Sequence, residues 1–165
     1  MKQCFRWAQA MLFAGLCGGA TWAADCPSYA TAERFRFSAD GTEVTDLQTG
    51  LTWARCSEGQ SWSGGTCTGD PSFLSHENAL STARQRSGWR LPSVKELSAL
   101  ADRGCVNPAI DRTAFPNTPN KLYWSSTPYV VGADTSSWSV NFVSGNVGFS
   151  MRYDNLAVRL VKTTP

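Results

Sequence analysis

No stretch of this 165-residue chain stays apolar for the roughly 20 residues that a membrane-spanning helix needs. Histidine is nearly absent: His76 stands alone, and no two cysteines have CxxC spacing. A zinc site therefore lacks a ligand set. There is no GxSxG elbow to present a nucleophilic serine, no P-loop and no dinucleotide fingerprint. Sequence repeats, low-complexity tracts and an interdomain linker are missing as well. These absences remove the usual enzyme classes, and no catalytic residue, cofactor, metal or nucleic-acid partner is expected.

What is present begins with an export pattern. Lys2 and Arg6 form a positive start, Trp7 to Leu16 an uncharged apolar stretch, and Gly18, Gly19 and Ala20 lead into Thr21-Trp22-Ala23. That layout is a secretory signal over residues 1–23, with Thr21 and Ala23 at the −3 and −1 positions. The remaining 142 residues suit one domain. A chain of this size buries about two thirds of its unfolded surface. The expected address is the periplasm, the cell surface or the medium, with no stable membrane insertion after processing.

Four cysteines follow the signal: Cys26, Cys56, Cys67 and Cys105. In an exported chain an even number reads as two disulfides, with three possible pairings. Cys56 and Cys67 flank a Gly/Ser-rich stretch and form the natural local pair, which leaves Cys26 with Cys105. The second bridge would tie an N-terminal segment, residues 24–35, to the domain at 36–162.

Loss of Lys2 and Arg6 leaves 13 basic and 13 acidic residues. Their distribution is uneven. Residues 24–83 carry three basic and eight acidic side chains, and residues 84–165 carry ten and five. Ten of the 13 basic residues are arginine, the side chain suited to bidentate contact with carboxylate, phosphate or sulfate. Arg84, Arg86, Arg103 and Arg112 are the candidate ligand-binding set, joined by Trp62 in the Gly/Ser-rich stretch. Trp53, Trp89, Trp124 and Trp138 are expected in the core, because rings in strands bury large apolar areas.

Alternation in Arg34 to Phe37 predicts a strand, and the runs 41–46 and 51–56 around Gly50 predict a hairpin. Residues 59–69 are expected to be a loop. One helix is predicted over Phe73 to Arg86, with Phe73 on its inward side and His76 exposed at its start. A second begins at the capping box Ser93-Val94-Lys95-Glu96 and stops at Gly104 in a left-handed conformation. Pro108, Pro116 and Pro119 predict a surface excursion over 107–120. Strands return at 122–127, 137–142, 147–152 and 156–162. Asn141, Asn146, Asp154 and Asn155 could offer oxygens to calcium, but turn formation accounts for them more simply. Arg90 and Arg159 sit among apolar residues; if inward, each needs a carboxylate, and Glu96 is the candidate partner. The fold class expected is α+β, with two helices packed on a twisted antiparallel sheet.

The same residues carry a resemblance. Asp46-x-x-Thr49-Gly50-Leu51-Thr52-Trp53, Gly88-Trp89-Arg90-Leu91-Pro92-Ser93-x-x-Glu96-Leu97, Tyr123-Trp124-Ser125-Ser126 and Val158-Arg159-Leu160-Val161 occur in that order. Together they resemble the bacterial domain family named after the C-terminal domain of the Legionella collagen-like adhesin. The resemblance implies an exported or surface-exposed domain, because the namesake attaches to sulfated glycosaminoglycans and assembles as a trimer. This chain lacks the collagen-like Gly-X-Y segment that would support trimerisation. The resemblance also implies a distant likeness to C-type-lectin-like and formylglycine-generating-enzyme folds, although the paired active-site cysteines of that enzyme have no counterpart here. The function expected is a non-enzymatic binding module for anionic or sulfated polysaccharide. An envelope protein-interaction domain is the alternative, and an unrecognised hydrolase the third reading.

Overall fold

A computed structural model of the chain describes residues 34–130 and 135–162. The expected signal, the N-terminal segment before Arg34 and Cys26 lie outside these residues. Among the described residues, twelve short strands and two helices make an α+β fold in which nearly every strand pairing is antiparallel.

The first sheet starts with β1 (Phe35–Phe37), β2 (Glu43–Asp46) and β3 (Leu51–Ala54). Asp46 faces Leu51 across the β2–β3 hairpin, and Gly50 closes the turn at φ +72° by donating its N–H to the Asp46 carbonyl at 2.8 Å. The buried Asp46 carboxylate accepts two bonds from Arg34, at 2.7 and 3.1 Å, and one from the Gln48 N–H at 3.0 Å. Burial alone would raise its pKa, but these donors hold it below the usual carboxylate range.

Residues 59–69 are not a simple loop. They contain a ribbon of β4 (Ser61–Ser63) and β5 (Thr66–Thr68) joined by Gly64 and Gly65, both at positive φ. Two successive positive-φ glycines make the tight turn whose twist matches a hairpin. The Cys56–Cys67 disulfide fastens the ribbon to the end of the first hairpin, with Cα atoms 5.4 Å apart.

Next come β6 (Phe73–Leu74), α1 (His76–Gln85), β7 (Trp89–Arg90) and α2 (Val94–Ala99). The first helix begins later than expected because Phe73 and Leu74 are already paired with another strand. Phe73 is consequently exposed rather than inward. Ser75 caps α1 by accepting the Asn78 N–H, and Gly88 turns the chain beyond its end at φ +80°. The capping box of α2 is present in full. Gly104 is not its stop. The helix ends at Ala99, and Ala101 then forms a bridge with Ile110, so the chain leaves helical geometry well before Gly104.

The proline-punctuated stretch 107–120 is also different from expectation. Ala109, Ile110, Ala114 and Phe115 are buried in the core. Burial is possible because the backbone finds partners without a regular ladder. Ala109 donates to the Phe142 carbonyl, Asn107 to the Val143 carbonyl, and the Asp111 carboxylate receives the N–H groups of Thr113 and Ala114.

The chain closes with β8 (Leu122–Tyr129), β9 (Ser136–Asn141), β10 (Asn146–Met151), β11 (Leu156–Ala157) and β12 (Val161–Lys162). The second sheet has the order β10-β9-β8-β11-β6, and the first has β1-β2-β3-β12-β7. The single expected strand 156–162 is thus two, split between the sheets. Successive strand residues face opposite ways, and the core follows. Tyr123 joins Trp53, Leu97, Phe115 and Val140 on one side, while Trp124 joins Ala79, Ala83, Leu91 and Leu160 on the other. No helix among the described residues is long and apolar enough to cross a membrane.

Candidate binding site

Glu77, Leu80 and Arg84 are spaced i, i+3, i+7, which places them on one face of α1. Hollows lie at both ends of that face. The first, about 660 Å³, is lined by His76, Glu77, Leu80, Arg152 and Tyr153. The second, about 250 Å³, is lined by Leu80, Arg84, Trp89, Arg90 and Ser126. Both are lined in part by Leu80, and the pair is called the groove beside the helix below. The turn after β10 is brought to the start of α1 by a hydrogen bond from the His76 N–H to the Arg152 carbonyl, 2.9 Å long.

Each end of the groove combines an aromatic ring with a guanidinium. Tyr153 is 74% exposed, beside Arg152, whose Nε donates to Ser137 Oγ at 3.1 Å. At the other end Trp89 is half-buried, with Lys162 Nζ 5.6 Å from its ring centroid. Arg90 is committed to Glu96 there, so Arg84 supplies the cation. It is exposed and makes no ion pair among the described residues.

The four motif blocks supply the framework of this groove and, through Trp89, Arg90 and Ser126, part of its lining. Gly50 and Trp53 form a turn and a core ring, Trp89-Arg90-Leu91-Pro92 leads into the capping box, and Val158 to Val161 crosses between the sheets. The family described as the Lcl C-terminal domain matches residues 42–162. The chain belongs to the Lcl C-terminal domain family. No curated protein matches it.

Within this Lcl C-terminal domain the expected arginine set divides. Arg84 and Arg86 lie in and just beyond the last turn of α1, while Arg103 and Arg112 lie in the segment after α2. Arg86 pairs with Glu58 at 2.9 Å. Arg112 donates to the carbonyls of Val106 and Asn107 and borders a hollow of about 370 Å³ that shares no lining residue with the groove. Arg103 packs its aliphatic stem near Gly145. Of the four, only Arg84 lines the groove.

Trp62 is half-buried under the Arg55 guanidinium, 4.0 Å from its ring, and closes over Gly41. Trp53 and Trp124 are fully buried, whereas Trp89 and Trp138 are only half-buried. Cys105 is buried and disulfide-bonded; its expected partner Cys26 lies outside the described residues.

Arg90 and Glu96 form the expected ion pair, with parallel contacts of 2.7 and 2.8 Å. The Arg90 guanidinium, with help from the Ser93 N–H and against partial burial, pulls the Glu96 pKa from 4.5 down to about 2. Arg159 departs from expectation. It is fully buried, yet its partners are the carbonyls of Ala54 and Arg55 and the hydroxyls of Ser57 and Thr118, not a carboxylate. Arg159 lies in the crossing between the sheets, and both carboxylate oxygens of Glu96 are taken by Arg90.

His76 is buried rather than exposed. Its Nε2 lies 3.0 Å from the Ser125 carbonyl, which makes that nitrogen the donor, and its ring meets Trp124 edge to face at 5.1 Å. Burial pushes its pKa below the usual histidine range, so the imidazole is neutral at pH 7. The calcium alternative has lost two of its oxygens to turns: Asn141 Oδ1 accepts the Val143 N–H and Asp154 Oδ2 the Met151 N–H. Sequence reasoning missed Glu77, Leu80, Arg152 and Tyr153. The helical spacing of Glu77, Leu80 and Arg84 was the one signal that pointed there.

Proposed function

We propose that this domain is an exported, non-enzymatic binding module for anionic or sulfated polysaccharide, acting as an adhesin. The observation that carries the reading is the groove along α1, where Arg84 and Arg152 each stand beside an exposed or half-buried ring. Guanidinium groups make charge-assisted bonds to sulfate or carboxylate, and rings present flat faces to sugars. Membership of the family supports the same direction, since its namesake attaches to sulfated glycosaminoglycans. The Cys56–Cys67 disulfide suits an oxidising compartment. Helices beside twisted antiparallel strands suit a distant C-type-lectin-like relationship. The non-enzymatic part of the reading draws on the sequence, which carries no nucleophile elbow, P-loop or dinucleotide fingerprint.

The test is chromatography on immobilised heparin. The domain should be retained at low salt and released as salt rises, because screening weakens exposed charge contacts. No retention, or retention indifferent to salt, contradicts the reading.

A second reading, docking with an envelope protein, has its own observation. Strand β10 is a sheet edge among the described residues, and Val147, Phe149 and Met151 along it are exposed. Cross-linking in the native host should then recover one dominant protein partner; recovery of none argues against it.

A further inference from the structure

We propose that β10 is a self-pairing edge: two copies of the domain join antiparallel along it, about a two-fold axis at Gly148. The inference does not rest on the polysaccharide reading.

The outer strands of the two five-stranded sheets differ in how they meet solvent. β1, β6 and β7 have three, two and two residues, with Arg36, Pro71 and Arg90 in or near them. Short edges guarded by charge or proline discourage the addition of another strand. β10 has no such guard. Its six residues carry no charge and no proline, and its register with β9 runs through all six without a bulge. Val147, Phe149 and Met151 alternate along it and are exposed. Phe149 is also held in place: its ring stacks on Tyr129 at 4.2 Å, and Tyr129 meets Trp138 edge to face at 5.0 Å. A side chain already fixed costs little further entropy when a partner covers it.

Register selects a second copy as the occupant. The Arg152 N–H donates to the Thr135 carbonyl, so alternation along the pair turns the N–H and C=O of Val147 and Phe149 outward. Those groups have no partner among the described residues. They satisfy one another when Val147 of one copy lies opposite Phe149 of the other, each pair exchanging both bonds. The apolar side chains then share one face, and Gly148 meets Gly148 on the axis. A Cβ at Gly148 has nothing within 4 Å, so that approach is unobstructed.

Charge favours the same pairing. This register sets Met151 of one copy opposite Gly145 of the other. The Met151 N–H donates to the Asp154 carboxylate at 3.1 Å, and the Arg103 stem comes within 3.8 Å of where a Cβ of Gly145 would lie. Arg103 is exposed and makes no ion pair among the described residues. The pairing brings it toward Asp154 of the second copy, and the axis repeats the contact. An isologous contact of this kind closes at two copies.

The experiment is sedimentation velocity of the disulfide-intact domain over a range of concentrations, with cross-linking at the axis. Wild type should pass from one copy to two as concentration rises. Phe149→Lys puts a cation opposite Val147 of the other copy. It should raise the dimer dissociation constant at least about tenfold, with the circular dichroism unchanged. Gly148→Cys tests the register without that variant. Cα atoms of a non-hydrogen-bonded pair lie about 4.5 Å apart, within reach of a disulfide. Oxidised Gly148→Cys should therefore run as a covalent dimer, and Phe73→Cys, exposed on edge strand β6, should not. A wild type that stays single at every concentration, or assembles as three, overturns the proposal. So does a dimer that folded Phe149→Lys leaves unchanged, or Gly148→Cys that cross-links no better than Phe73→Cys. A single-copy wild type whose β10 cross-links to one host protein assigns the edge to that partner and overturns it too.

Discussion

The Arg159 guanidinium lies 4.8 Å from the centroid of the Phe115 ring, fully buried, with carbonyl and hydroxyl oxygens as its only hydrogen-bonding partners among the described residues. Tyr123 adds a second ring at 5.9 Å, and its hydroxyl hydrogen-bonds Ser57 Oγ at 2.7 Å. A cation can be held this way because carbonyl dipoles and ring faces replace part of its lost hydration. Burial still lowers its pKa. The residue fastens the crossing between the two sheets to the end of β3 and to the 107–120 segment.

Replacement of Arg159 should therefore be costly. Arg159→Ala leaves several buried acceptors without donors, each worth about 1–3 kcal/mol, so a loss of at least about 3 kcal/mol is expected in urea unfolding. Arg159→Lys keeps the charge but lacks the fork that reaches four acceptors. It should recover only part of that loss.

The Arg90–Glu96 pair predicts the acid limb of stability. A carboxylate whose folded pKa lies below its unfolded value stabilises the fold above the unfolded value and loses that contribution as pH falls through the folded one. For Glu96 the window runs from 4.5 down to about 2. Urea midpoints of wild type should fall through this range, and Glu96→Gln should start lower at neutral pH and fall less steeply.

Gly41 and Gly50 make a controlled comparison. Both have positive φ, but a Cβ at Gly41 would lie 2.8 Å from Trp62 Nε1, whereas one at Gly50 meets nothing within 4 Å. Gly50→Ala should cost about 1 kcal/mol from backbone conformation alone. Gly41→Ala should cost clearly more, because the Trp62 ring must also leave its place under Arg55; thermal melts of the two variants decide the order.

Closing an 11-residue separation, the Cys56–Cys67 bridge should contribute on the order of 2–4 kcal/mol. Cys56→Ser with Cys67→Ser should lower the melting temperature while leaving heparin retention unchanged, since the ribbon forms no part of the groove.

Local signals in the sequence carried the parts of the fold that depend on local chemistry. The capping box at Ser93, the hairpin around Gly50 and the α+β class could all be read. The failures share a cause. Phe73 and Leu74 look helical until β11 pairs with them, the run 156–162 looks like one strand until the two sheets divide it, and 107–120 looks like surface until the carbonyls of Phe142 and Val143, just after β9, receive its N–H groups. Each outcome depends on a partner far away in the chain. The site was less legible still. Arg84 could be singled out by charge, but Arg152 and Tyr153 reach the groove only because a turn distant in sequence docks on the start of α1.

The most direct measurement of the central claim is the affinity of the wild-type domain for a heparin hexasaccharide as a function of salt, set against the desulfated form of the same sugar. The account predicts binding of the sulfated form that weakens steadily with rising salt, and little binding of the desulfated one. Equal binding of the two, or none of either, contradicts it.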